Sequence, residues 1–281
     1  LALMYARAWH QHPEYRSYSA GHVVLFSVLA VSWAAIAFWD PLGFAWWAVA
    51  TSMGLLAPFV IPQLPKRTGR PASAEPPLKA RYILERFGEL TIIVLGEFFL
   101  KAALGAAERE SYFLTTLYSL TLLGTSVGLW WLYFDHLDHS MLTEGRARLR
   151  FWVDLHYPFL VAVAAYGVAG TKVLGLGPGQ SLAVEQRLLL CSSLAVALLA
   201  GAGLEWAAPE REEPMARKPQ VWVRVAAAAI LVALALWGGV LGTPLLVVLI
   251  VLTFVALVAV DVYARLKRLK VERRPARNTE Q

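Results

Sequence analysis

The chain has 281 residues, of which 58% are apolar and only 16% are charged, and its mean hydropathy is +0.52. A soluble domain carries roughly 45–50% apolar and about 25% charged residues, so the composition argues against a soluble fold. The net charge is +6, but the basic residues lie in short segments between apolar blocks, a distribution typical of membrane proteins rather than of nucleic-acid-binding proteins.

The apolar residues form blocks close to the ~20-residue length that crosses a ~30 Å hydrocarbon core. We therefore predict an all-α, polytopic transmembrane helix bundle with about eight spans in this chain. The predicted spans are 22–40, 42–62, 82–106, 113–135, 150–171, 184–206, 220–239 and 243–264.

The distribution of Lys and Arg predicts the orientation of these spans. An even number of spans returns the chain to the side on which it started. With both ends of the chain in the cytoplasm, 22 of the 26 Lys and Arg residues lie inside, as the positive-inside rule requires. The four on the outer side are Lys101, Arg109, Lys172 and Arg187. We thus expect a multi-pass protein in the lipid bilayer of a cytoplasmic membrane, with both ends of this chain in the cytoplasm.

Composition also predicts four segments along the chain. Residues 1–62 form an N-terminal segment with a transmembrane hairpin, and 63–81 form a cytoplasmic linker rich in proline and basic residues. Residues 82–264 form a six-helix bundle. The basic tail 265–281 is expected to contact anionic lipid headgroups. The single cysteine, Cys191, lies within an apolar block, which excludes a disulfide framework within this chain.

The predicted span 82–106 carries an acidic residue near the centre of the bilayer. At about 1.5 Å per residue, Glu97 lies about 16 Å beyond Arg86, which is expected at the membrane interface. A charge at this depth costs at least about 2.5–3.5 kcal/mol, so Glu97 is the leading candidate for a proton or cation site. Arg86 and Glu97 share one helix face, which predicts a polar stripe. The structural alternative is that Glu97 pairs with Lys101 one turn later.

A second group of polar residues follows the span 113–135. Its members are Asp135, His136, Asp138, His139, Asp154 and His156. Histidine and aspartate bind zinc, manganese and iron, so His136, His139 and Asp154 are candidate metal ligands, although their spacing matches no strong metal signature. His156 precedes an apolar run and is a candidate proton relay. Its structural alternative is a histidine that is hydrogen-bonded at the membrane interface.

Two further acidic residues, Glu205 and Asp261, lie at the predicted cytoplasmic ends of the sixth and eighth spans. We expect both to be interface residues without a role in a site. Walker A, G-x-S-x-G and H-E-x-x-H motifs are absent from the sequence, which argues against an ATP-driven pump and a soluble-type hydrolase. The sequence identifies no cofactor.

The segment ERFGELTIIVLGE at 85–97 resembles the signature of the bacterial low temperature requirement protein A (LtrA) family of membrane proteins. Residues 3–16 resemble the segment that follows the early spans of that family, 129–135 resemble the landmark after the signature, and 154–170 resemble a later histidine-containing helix, so the matches follow the family order. The resemblance implies a helical membrane protein and no settled activity. The polar and glycine positions that it implies as characteristic are Glu85, Arg86, Gly88, Gly96, Glu97, Asp135 and His156.

The chain departs from the family pattern at two places. Arg81 and Tyr82 stand where family members often have a histidine, and Glu89 and Lys101 are more polar than the pattern. The acidic and aromatic segment of an earlier family helix is absent, and the chain begins with Leu1. We therefore expect the sequence to be N-terminally truncated.

Three functions are compatible with these residues. The first is a secondary transporter or ion-permeable protein in which Glu97 takes up a proton or cation and Arg86, Asp135 and His156 form the cytoplasmic access route. The second is an intramembrane metal-dependent enzyme that uses the aspartate and histidine group. The third is a noncatalytic membrane scaffold linked to growth in the cold. The sequence favours the first.

Overall fold

The structure is a computed structural model, and it describes residues 2–38, 46, 49, 52–53, 80–107, 113–135, 146–176, 180–207 and 218–272. Within those ranges the chain forms eight α-helices and no strand. Contacts divide it into two compact units, Leu1–Leu78 and Lys79–Gln281. The predicted span 42–62, the metal-ligand candidates His136 and His139, and the end of the tail lie outside the described residues, apart from the four single positions above.

Unit 1 contains two described helices. Helix α1 (Ala2–Gln11) is joined to α2 (Arg16–Phe38) by a single 3-10 turn over Pro13–Tyr15. The sequence did not predict α1, and α2 begins at residue 16 rather than at the predicted 22. The two helices pack through Tyr5, whose ring stacks on His22 and on Phe26.

The described residues of unit 2 form six α-helices. They are α3 (Ala80–Ala107), α4 (Phe113–Phe134), α5 (Arg146–Leu174), α6 (Val184–Ala207), α7 (Lys218–Trp237) and α8 (Thr243–Glu272). Apolar segments of this length form helices because no water in the bilayer can satisfy their backbone N–H and C=O groups. The helices pack in the neighbour order α3, α5, α6, α7, α8 and α4, and α4 returns to α3.

Among the described residues, six helical segments are long and apolar enough to cross a membrane. They are Tyr18–Phe38, Phe113–Phe134, Phe151–Leu174, Val184–Ala207, Gln220–Val240 and Thr243–Lys267. This confirms the predicted class, a helical transmembrane protein. Helix α3 forms where the span 82–106 was predicted, but it is not among these six, so its crossing stays a prediction.

Glycines allow close contact between α4 and α8. Gly124 and Gly128 lie one helical turn apart on α4 and face Val251 and Phe254 of α8. A Cβ at Gly128 would lie 2.9 Å from Cδ1 and 3.1 Å from Cβ of Phe254. Small residues spaced by four are a common basis of helix association in membranes, because the backbones can approach closely.

Arg187 links α6 to α7 at the end of unit 2 where α6 begins, and we call this the Arg187 end. The buried guanidinium donates from Nε to the carbonyl oxygen of Ala235 at 3.1 Å, in the last turn of α7. A cation at a helix C-terminus is stabilised by the helix dipole. Gly239 makes room for it, since a Cβ there would lie 2.7 Å from Nη1 of Arg187.

The α4–α8 contact predicts that Gly128→Ala lowers thermal stability. The Cβ atom of Phe254 is bonded to the backbone of α8, so rotation of the side chain does not move it away. An added methyl group at Gly128 therefore forces the two helices apart, at a cost of about 1–3 kcal/mol. Gly96→Ala is the matched control, because nothing lies within 4 Å of a Cβ at that position. Thermal unfolding in detergent checks this, and equal melting temperatures for the two variants would contradict it.

Candidate functional site

Helix ends of unit 2 meet at the end where α4 stops, which we call the Asp135 end. The N-terminal parts of α3, α5 and α7 lie there beside the C-terminal parts of α4, α6 and α8. Buried polar residues gather at this end, and we call the following five the polar layer: Tyr133, His156, Glu205, Arg224 and Asp261.

His156 is completely buried, with 0% of its surface exposed. Its Nδ1 lies 2.8 Å from the carbonyl oxygen of Trp152, and its Nε2 lies 2.9 Å from the hydroxyl of Tyr133. A carbonyl only accepts hydrogen bonds, so Nδ1 donates and Nε2 of the neutral ring accepts from the tyrosine hydroxyl. Both ring nitrogens are therefore satisfied, and the bond to Tyr133 joins α5 to α4.

Aromatic rings enclose this imidazole. The ring of Trp152 lies 3.9 Å from it between centroids, and the ring of Phe87 from α3 lies 4.3 Å away. Tyr133 is itself stacked on Phe159 at 5.1 Å. Packed aromatic rings keep water away from the imidazole. Among the described contacts, the polar side chain that binds His156 is Tyr133.

Helix α3 adds a hydroxyl next to this pair. Thr91 has no exposed surface and donates to the carbonyl of Phe87 at 2.8 Å. Its side chain also lies near that of Tyr133. The hydroxyls of Thr91 and Tyr133 and the imidazole of His156 are thus grouped where α3, α4 and α5 meet.

The other half of the polar layer is an ion network around Arg224 of α7. Its Nη1 lies 3.3 Å from Oε2 of Glu205 on α6, and its Nη2 lies 3.7 Å from Oδ2 of Asp261 on α8. The same guanidinium donates to the carbonyls of Gly201 at 3.4 Å and Leu132 at 3.2 Å. One buried side chain therefore connects α4, α6, α7 and α8.

The two halves meet on α4. Leu132 accepts from Arg224 through its carbonyl oxygen, and the next residue, Tyr133, binds His156. Consecutive residues of a helix point about 100° apart, so α4 presents one group to each half. The polar layer is thus continuous across the Asp135 end.

Asp135 lies at the outer edge of this layer. Its Oδ1 lies 2.8 Å from Nη1 of Arg265, and the two side chains are 18% and 63% exposed. This pair joins the end of α4 to α8 at the surface. The expectation that Glu205 and Asp261 are interface residues is wrong, because both are buried against Arg224.

The other residues predicted for the access route lie on α3. Arg86 is exposed, pairs with Glu89 at 2.7 Å and lies 5.1 Å above the ring of Tyr82. Glu85 and Glu97 are exposed as well. Arg86 and Glu97 thus lie on the solvent- or lipid-facing side of α3, whereas Phe87 packs against His156. The structure does not bring Arg86 or Glu97 into the polar layer.

The depth of Glu97 follows from the contacts of α3. Thr91 lies near Tyr133 of the polar layer. Glu97 follows six residues later, about 9 Å farther along the helix axis. The next residue, Phe98, packs on Tyr166 with ring centroids 4.8 Å apart. Tyr166 is fully buried in the middle of α5. Glu97 therefore lies deeper in the bundle than the polar layer but on the outer face of α3.

The metal-site hypothesis rests on residues that are only partly described. Asp154 is buried on α5, two residues before His156, while His136 and His139 lie outside the described residues. Among the residues that the structure describes, no group of three or more His, Cys, Asp or Glu side chains is placed to hold a metal ion.

Sequence reasoning identified His156 but missed its partner. Tyr133 lies in LWWLYF, which reads as a belt of interfacial aromatic residues. Arg224 was counted only as a cytoplasmic charge. A usable signal was present, because Arg224 follows the start of α7 by six residues and precedes an unbroken apolar run, so it needed a partner within the membrane.

The chain matches the model of a known protein family. The family model described as bacterial low temperature requirement A protein (LtrA) matches residues 1–260. The match covers unit 1 and most of unit 2. No curated protein and no solved structure matches the chain.

The ion network predicts a large difference between two arginine substitutions. Arg224→Met leaves Glu205 and Asp261 buried without their guanidinium, which costs about 3–5 kcal/mol. Arg265→Met removes a cation that is 63% exposed, and an exposed pair contributes about 1 kcal/mol or less. We expect a much lower melting temperature in detergent for Arg224→Met than for Arg265→Met. Similar values for both would show that Arg224 does not hold the helices together.

Proposed function

The chain belongs to the bacterial low temperature requirement A family, and from this premise we propose that it moves protons, or a small solute coupled to protons, across the bacterial cytoplasmic membrane. The observation that carries the proposal is the hydrogen bond between the fully buried His156 and the hydroxyl of Tyr133. Ionisable residues inside membrane helices are costly and mark ion pathways and proton relays in many transporters.

The geometry of His156 suits the transfer of a proton. The carbonyl of Trp152 holds the hydrogen on Nδ1, so an incoming proton binds at Nε2. The Nε2–H then donates to the oxygen of Tyr133, which reverses the direction of the existing 2.9 Å hydrogen bond without moving heavy atoms. An imidazole exchanges protons near neutral pH more readily than any other side chain.

Charged residues on either side of the His156–Tyr133 pair supply the remainder of the proposed proton route. Toward the Asp135 end, Asp135 lies two residues from Tyr133, and its side chain, which is 18% exposed, pairs with Arg265 at the surface. Glu85 and Arg86 lie at the same end on α3. Toward the middle of the bilayer, Glu97 lies about 9 Å beyond Thr91. We propose Glu97 as the mid-membrane acid that takes up the proton or cation and Asp135, Glu85 and Arg86 as the cytoplasmic access.

The role of Glu97 predicts that Glu97→Gln abolishes proton flux. The amide has nearly the same size but carries no exchangeable acidic proton. Flux is measured in proteoliposomes under an imposed voltage, with variants at matched incorporation and melting temperature. The control is Glu185→Gln, since Glu185 is an exposed carboxylate in the first turn of α6. Unchanged flux in Glu97→Gln would remove Glu97 from the pathway, and absence of flux in the unsubstituted protein would contradict proton permeation.

The relay predicts a separate effect of Tyr133→Phe. This change removes one hydroxyl and keeps the ring that stacks on Phe159. Because positioned proton-transfer groups contribute about a hundredfold or more, we expect flux to fall by about that factor. Tyr118→Phe, in which a buried tyrosine of the same helix is changed, is the control. An equal loss in both variants would indicate damage to α4 instead of loss of the relay.

A further inference from the structure

Two stretches of the sequence share one pattern of residue types. Each has an arginine, an aromatic residue two positions later and a histidine four positions after that, and a phenylalanine follows within the next turn. The first stretch contains Arg16, Tyr18, His22 and Phe26, and the second contains Arg150, Trp152, His156 and Phe159. Both stretches open a long helix, α2 in unit 1 and α5 in unit 2.

The two histidines also share their geometry. Nδ1 of His22 lies 2.9 Å from the carbonyl of Tyr18, as Nδ1 of His156 lies 2.8 Å from that of Trp152. In both helices the aromatic residue that supplies the carbonyl also packs on the imidazole, with centroids 4.3 Å apart for His22 and 3.9 Å for His156. Both imidazoles are buried, at 7% and 0% exposure.

The helix before each histidine contributes a tyrosine. Tyr5 of α1 stacks on His22 with ring centroids 4.5 Å apart, and Tyr133 of α4 binds His156 through its hydroxyl at 2.9 Å. The correspondence therefore extends over two helices in each case.

A common packing rule does not account for this agreement. A buried histidine requires a donor or acceptor for each ring nitrogen, but that requirement fixes neither an aromatic residue one turn earlier nor a tyrosine from the preceding helix. Each pair consists of two successive helices, and the two pairs carry the same residue types in the same order, which indicates a repeated unit. Repeats in membrane transporters commonly supply equivalent positions of the transport pathway.

We propose that α1–α2 and α4–α5 are two copies of one proton-handling helix pair and that His22 is a second proton-binding site, equivalent to His156. The ligand is a proton, which binds at Nε2 because the carbonyl of Tyr18 holds the hydrogen on Nδ1. Tyr5 from α1 and Tyr18 from α2 are titratable side chains that contact the ring of His22. This inference rests on the proposed function of His156 but assigns a new residue in a different unit.

The first test compares three substitutions to asparagine in the proteoliposome flux assay. An asparagine amide takes the place of Nδ1 and keeps the bond to the preceding turn, but it does not bind a proton. We expect His22→Asn to lower flux as strongly as His156→Asn. His10→Asn, which changes an exposed histidine of unit 1, is expected to leave flux and melting temperature unchanged. Wild-type flux in His22→Asn beside a strong loss in His156→Asn would overturn the inference and leave the proposed function intact.

The second test does not depend on transport. Nitrogen NMR of histidine-labelled protein in nanodiscs, with each signal assigned by its asparagine variant, reports protonation of each ring as the pH is lowered. We expect His22 and His156 both to gain a proton at Nε2 in such a titration. A His22 signal that stays in one neutral tautomer while that of His156 titrates would overturn the inference. Titration of both in a protein without flux would support two proton sites while contradicting proton transport.

Discussion

The requirement that every polar group inside a bilayer find its partner within the protein determines how unit 2 is arranged. Arg224 shows its effect most directly, since one guanidinium contacts two carboxylates and two backbone carbonyls from three other helices. A buried ion network of this kind adds little net stability compared with an apolar core. It disfavours any other arrangement of α4, α6, α7 and α8, because a shifted helix would leave a charge buried without its partner.

The same requirement explains how α4 can be both polar and buried. Four of its buried hydroxyls donate to a carbonyl about one turn earlier in the same helix, and the residues that do so are Ser119, Thr121, Thr125 and Ser126. Each of these hydroxyls is satisfied locally, so the helix remains compact enough to pack. Gly124 and Gly128 admit α8. Helix α4 can therefore contact both α8 and α3 while it carries the residues that join the polar layer.

The length and spacing of the apolar blocks were sufficient to predict the long helices of unit 2 to within four residues, apart from α8, which ends eight residues after the predicted 264. The reason is that the bilayer allows a spanning segment little other structure. Helix α1 was missed, since its ten residues are too few to cross and include the polar Arg7 and His10. The partners in the polar layer were missed for a different reason. Glu205, Arg224 and Asp261 lie on separate helices, and their sequence positions alone do not reveal which helix faces which.

Helix α3 links the proposed mid-membrane acid to the polar layer through two different faces. Phe87 faces the bundle and packs on His156, and the buried Thr91 lies near Tyr133, whereas Glu97 lies on the exposed face. A change of charge at Glu97 would therefore act first on whatever covers the outside of α3. Since a helix moves nearly as a rigid rod, that change would reach His156 through displacement of α3 rather than through a direct polar contact. On the proposed function, then, the outer surface of α3 controls the environment of the buried relay.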